Sequence, residues 1–212
     1  ARVVLPPASY VHEKEKYEKR LPAAIDYIVE NGLNECFGPE DARVGIVLQG
    51  GMYNGVIRAL QRLGLADVYG ESAVPLYVLN VTYPLVPDQF LSFCEGKDHL
   101  LIVEEGQPDF IEESLRATLH RAGAHIAVSG KDVLPMAGEY TGAVMLQGVN
   151  AFLTKAAPHL LPHKGWVKGV CAARPAHSRH PSRPRPRAGY RARRANCNCL
   201  CCALRARVGR HC

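Results

Sequence analysis

The chain has 212 residues and is 47% hydrophobic, enough to bury one ordinary core or one domain plus a tail. All 20 acidic residues lie before Lys164 with 13 of the 26 Lys and Arg, so residues 1–163 carry about −7 and the remainder about +13, an asymmetry the net +6 conceals. No charged start precedes an apolar core, no run of about eighteen apolar residues occurs, and residues 1–163 hold two cysteines, Cys36 and Cys94. That pattern points away from a signal peptide, a spanning helix and a disulfide scaffold, and toward a reducing, cytoplasmic setting.

The opening "ARVVLPPASY" starts at Ala1 and reads as the interior of something longer, an extended entry to a lead-in segment over 1–42. Leu21, Ala24, Ile25 and Ile28 recur at helical spacing, and Pro22 predicts a break or restart of the helix there, giving two pieces, the second closing at "ENGLNE". The charges of "HEKEKYEKR" form a solvated helical face. "VGIVLQ" is a strand ending in Gly50–Gly51, and "YNGVIRALQRLG" is a helix closed by Gly64. "PLYVLNVT" is the second strand, and "VPDQFLSFCEG" is a compact helix with Pro87 in its first turn. "HLLIVEE" is nearly continuous in apolar residues, as a strand covered on both faces must be. "PDFIEESLRATLHRAG" is a helix with acids in its first turn and Gly123 after its end. "HIAVSG" is the fourth strand and "GAVMLQGVNAFLTKA" the closing helix. Strands alternating with helices predict an α/β domain over 43–157, an open, mostly parallel sheet with helices on both faces.

Residues 158–170 read as a linker. Residues 171–212 hold 11 Arg among 42 residues and no Asp, Glu, Lys, Ile, Phe, Met or Trp, so they predict a disordered basic tail without a core.

Three stretches at the predicted carboxyl ends of the strands carry candidate chemistry. In "VLQGGMYNG", Gly50, Gly51 and Asn54 lie where a strand turns into a helix, presenting backbone N–H groups that suit a phosphate or carboxylate. The spacing matches neither a dinucleotide fingerprint nor a P-loop, and a plain tight turn is the competing reading. In "VEEGQPDF", Glu104 and Glu105 follow the central strand, where open sheets place ligands. Adjacent strand residues point to opposite faces, so the two do not form an acid/base pair; one is left for function and the other for a helix-terminus or interface contact. Tyr83 ends the second strand in "NVTYPLVP", as a rigid turn or an inter-domain surface. His99, His120 and His125 lie in different elements without metal-ligand spacing.

The succession "GIVLQGGMYNGVIRALQRLG", "PLYVLNVTYPLVPDQFLSFCEG" and "HLLIVEEGQPDFIEESLRATLHRAG" resembles the alpha subunits of indolepyruvate:ferredoxin oxidoreductases, within the thiamine-diphosphate-dependent 2-oxoacid:ferredoxin oxidoreductase family. The resemblance covers about residues 1–160 and implies the transketolase C-terminal-like domain. It implies an enzyme that oxidatively decarboxylates arylpyruvates to acyl-CoA with ferredoxin as electron acceptor. For the full-length enzyme it implies thiamine diphosphate, Mg and iron–sulfur clusters, with coenzyme A and ferredoxin among the partners. The activating glutamate and the metal ligands belong to the family's preceding and following domains, so no catalytic residue and no metal ligand is carried over. A supporting role follows, packing other domains and subunits against the edge formed by Gly50, Gly51, Asn54, Tyr83, Glu104 and Glu105. The fragment alone is expected to be inactive.

The resemblance ends at the tail. The family's next domain begins with a Cys-x-Gly-Cys-Pro type motif, whereas here the chain runs "VCAARPAHSRHPSRPRPRAGY" from Val170, as a frameshift near 163–171 would produce. Two other functions compete on the same tail: nonspecific nucleic-acid binding through its positive charges, and metal binding through Cys197, Cys199, Cys201 and Cys202, whose C-x-C-x-C-C spacing is unlike that of structural zinc sites.

Overall fold

The computed structural model describes residues 5–161. The frameshift, the disordered or basic tail, its cysteine cluster and most of the linker lie outside the described residues.

The lead-in is helical from α1 (Ala8–Glu15) through a π turn (Lys16–Arg20) to α2 (Leu21–Glu30). The two expected pieces are present, the regular α pattern restarting at Leu21 with Pro22 in the first turn of α2, while the π turn keeps the helical path continuous between them. Leu21 N–H donates to Lys16 O, five residues back, and this wider turn absorbs the carbonyl that the proline ring would strike and cannot pair. The predicted stripe of Leu21, Ala24, Ile25 and Ile28 is the covered face of α2, with Ile28 buried.

Beyond it, the chain forms β1 (Glu35–Phe37), β2 (Val44–Gln49), a 3₁₀ turn at Gly50–Met52, α3 (Tyr53–Arg62), β3 (Leu76–Leu79), α4 (Pro87–Cys94), β4 (His99–Val103), α5 (Phe110–Arg121), β5 (Ala127–Ser129) and α6 (Gly142–Ala156). The sheet order is β1-β3-β2-β4-β5, parallel except for the edge strand β1, which pairs antiparallel with β3. Four of these strands are the four the sequence predicts. β1 is an addition: three exposed residues with no pattern of their own, held by pairing Cys36 with Tyr77.

The apolar run of β2 is explained by cover on both faces, since Val44 through Leu48 are all buried. Alternate residues feed two cores. Ile46, Leu48, Leu76, Val78, Leu101 and Val103 face α3 and α6. Val47, Tyr77, Leu79, Leu100 and Ile102 face α4 and α5. Each fully buried aliphatic side chain contributes about 1.5–3 kcal/mol. The chain runs from β2 outward to β3, then back across β2 to β4. Reversing direction at constant crossover hand moves the helix to the other face, which places α3 opposite α4 and α5.

Helix α6 spans Gly142–Ala156 as the sequence predicts, and the difference lies in the segment after it. The helix stops at Ala156, a 3₁₀ turn spans Pro158–Leu160, and Leu160 and Leu161 pack against the α3/α6 core. These residues, predicted as linker, belong to the domain.

Candidate functional site

Strand order places the topological switch between β2 and β4, whose carboxyl ends diverge into α3 on one face and α5 on the other. Gln49 joins them, its side-chain oxygen accepting from Glu105 N at 3.0 Å. The two glycines that follow have separate roles. A Cβ on Gly50 would stand 2.5 Å from Asn80 Oδ1, so the turn needs glycine for a close approach. Asn80 is itself fixed, donating to Leu33 O at 2.9 Å and to Glu35 at 2.8 Å. A Cβ on Gly51 would meet nothing within 4 Å, and Asn54 is exposed one turn on.

The carboxylates of Glu104 and Glu105 diverge. Glu104 is 5% exposed, and its oxygens accept from Ile111 N and Glu112 N at 3.0–3.1 Å, capping α5 from outside the helix. No side chain at Asp109, the N-cap position, does this, so Glu104 satisfies donors that the first turn leaves open. Glu105 turns the other way and accepts from Tyr140 N.

Lys131, which sequence reasoning passed over, ties these loops together. Its ammonium donates to Glu104 O, to Gly106 O at 2.8 Å and to the Tyr140 hydroxyl at 2.9 Å. Tyr140 in turn donates to Pro135 O at 2.8 Å. Glu112, also buried, accepts from Arg116 at 2.6 Å and from Lys131 N at 3.0 Å. The clue available in the sequence was position alone: Lys131 follows the carboxyl end of the last strand, as Gly50 and Glu104 follow theirs.

Tyr83 does not join the glycine turn. It is 68% exposed and lines a groove of about 780 Å³ with Tyr17, Leu21 and Ile25 of the lead-in and Arg121 of α5. Phe110, at the start of α5, is 64% exposed.

Both switch-point carboxylates are engaged by backbone N–H groups, and among the described residues no three His, Cys, Asp or Glu side chains converge to hold a metal. The two described cysteines, exposed Cys36 on β1 and buried Cys94 on α4, lie in different elements and form no cysteine cluster. The described residues therefore do not fit a diphosphate–metal site or a cluster. No described helix is long and apolar enough to cross a membrane.

A family model described as the indolepyruvate oxidoreductase domain matches residues 34–151. The indolepyruvate oxidoreductase subunit IorA of Thermococcus kodakarensis is 30% identical over 159 residues, covering 72% of this chain and 24% of its own length. That of Pyrococcus abyssi is 31% identical over 121 residues, 57% of this chain and 18% of its own. The chain thus spans at most about a quarter of the curated relatives it matches. A solved structure, the 2-oxoglutarate:ferredoxin oxidoreductase from Magnetococcus marinus with 2-oxoglutarate, coenzyme A and succinyl-CoA bound, aligns over 72% of this chain and 24% of that one. Its identity is 17% and the TM-score 0.46.

Proposed function

Because the chain belongs to the indolepyruvate oxidoreductase domain family, we propose that it is a supporting domain of a cytoplasmic 2-oxoacid:ferredoxin oxidoreductase and holds no reacting group itself. The parent enzyme would oxidatively decarboxylate arylpyruvates to acyl-CoA, with thiamine diphosphate, Mg and iron–sulfur clusters carried by its other domains and ferredoxin and coenzyme A as partners. The observation that carries the reading is the engagement of Glu104: a carboxylate held by two backbone N–H donors is a fixed cap and not a free base.

In this reading the carboxyl edge is the face against which those domains pack. Gly51 and Asn54 leave the start of α3 open, while Tyr83 and Phe110 present large apolar surface where a lone domain has no use for it. The Gln49–Glu105 and Lys131–Tyr140 links hold that face rigid, which a neighbouring cofactor site needs for its geometry.

The test is an assay of the purified chain with an arylpyruvate, thiamine diphosphate, Mg²⁺, coenzyme A and a viologen acceptor. No turnover is expected; measurable acyl-CoA formation would overturn the assignment.

A further inference from the structure

A second concavity lies away from the switch point, between the β1–β3 edge and α4, with a volume of about 560 Å³. Its inner wall carries Lys97, which is 7% exposed. Three features drive that lysine inward. Gly96, with φ +70, turns the chain back toward the sheet after α4. Gly45 of β2 leaves room for the side chain, since a Cβ there would stand 3.1 Å from Lys97 Cδ and 2.9 Å from Phe93 Cζ. The ammonium then sits 4.7 Å from the centre of the Phe93 ring, whose other neighbour is the stacked Tyr77 ring.

The ammonium is incompletely partnered. It donates to Glu40 O at 3.2 Å, and no described carboxylate oxygen lies within 4.0 Å of it. An ammonium has three donors, and a buried charge without a countercharge is among the least favourable arrangements in a folded protein. Glu40, Asp41 and Glu95 line the same cavity and are exposed, so its mouth is acidic while its floor is basic. A simple anion gains at the floor and is repelled at the mouth, and a simple cation meets the reverse. A molecule with a carboxylate at one end and an ammonium a few ångströms away satisfies both.

We infer that this cavity is a binding site for a zwitterionic α-amino acid, whose carboxylate pairs with Lys97 and whose ammonium faces Glu40, Asp41 and Glu95. Binding here involves no covalent step and is independent of the carboxyl edge. The ligand supplies the countercharge that the fold withholds from Lys97, so binding and stability are linked.

The experiment uses the full chain with three probes of similar body: L-phenylalanine, 3-phenylpropionate without the amine, and phenethylamine without the carboxylate. Calorimetry and ligand-induced thermal shift should show L-phenylalanine binding at least tenfold more tightly than either truncated probe. Lys97→Met should remove at least tenfold of that affinity, and its Tm without ligand should equal or exceed the parent's because an unpaired buried charge is gone. Lys97→Arg, which keeps the charge, should retain part of the binding. Equal affinity for all three probes, no binding of L-phenylalanine, or unchanged binding in Lys97→Met would each overturn the site.

Discussion

Replacing Glu104 with alanine tests whether this carboxylate is a cap or a free functional group. The substitution removes the acceptor for Ile111 N and Glu112 N at a position 5% exposed. Hydrogen bonds to a charged partner contribute about 1.5–3 kcal/mol each, while loss of a helix cap costs about 0.5–2 kcal/mol. Water can enter the first turn once the side chain is gone, so the loss falls near about 3 kcal/mol and not at the sum of two full bonds. For a domain of this size that is a fall of roughly 6–12 °C in Tm. Glu104→Gln keeps the volume and one acceptor but presents an amide NH₂ to the same donors, and should lose about 1–2 kcal/mol. Urea unfolding followed by far-ultraviolet circular dichroism reads the difference as a shifted midpoint at constant slope. Glu104→Ala within about 0.5 kcal/mol of the parent would refute the capping role and reopen Glu104 as a functional base.

Two further outcomes follow from packing and titration. Gly148→Ala in α6 should gain about 1 kcal/mol from helix propensity, yet its Cβ would overlap Leu134 Cδ2 and press on Val133 O at 3.4 Å. A net loss of about 1–3 kcal/mol is expected in thermal unfolding, and a rise in Tm would show that the 133–134 loop does not pack on α6. Burial raises Cys94 from 9.0 to about 12 and Tyr77 from 10.0 to about 12. A raised folded-state value means the neutral form is favoured in the native state, so this stability is intact below pH 9 and is lost as pH climbs toward 12. Tm should fall across that window, less steeply in Cys94→Ala; a flat profile would refute the burial of both groups. By the same desolvation, Cys94 should resist alkylation at neutral pH until the protein unfolds, as peptide mapping would show.

Much of the architecture is legible in local pattern because it depends on local physics. A nearly continuous apolar run marks β4 as covered on both faces, and the Gly123 signal places the end of α5, with φ +68 in the structure. Pro22 marks the restart of the helix as α2, where the first turn does not need its missing N–H, but nothing in composition announces the π turn that keeps the helical path continuous before it. β1 was invisible because three exposed residues have no period, and only their pairing with β3 makes them a strand.

The candidate site divides along the same line. Sequence alone determined that Gly50, Gly51, Glu104 and Glu105 stand at strand ends, and that the adjacent carboxylates diverge, since alternation is a property of the extended backbone. Tertiary structure decided what each does. That Gly50 makes room for Asn80, that Glu104 caps α5, and that Lys131 links Glu104, Gly106 and Tyr140 all depend on β4 lying beside β2 and on which loops meet there. The same holds for Lys97, whose burial depends on the glycine gap in the neighbouring strand. Such contacts join residues tens of positions apart, and no local period records them.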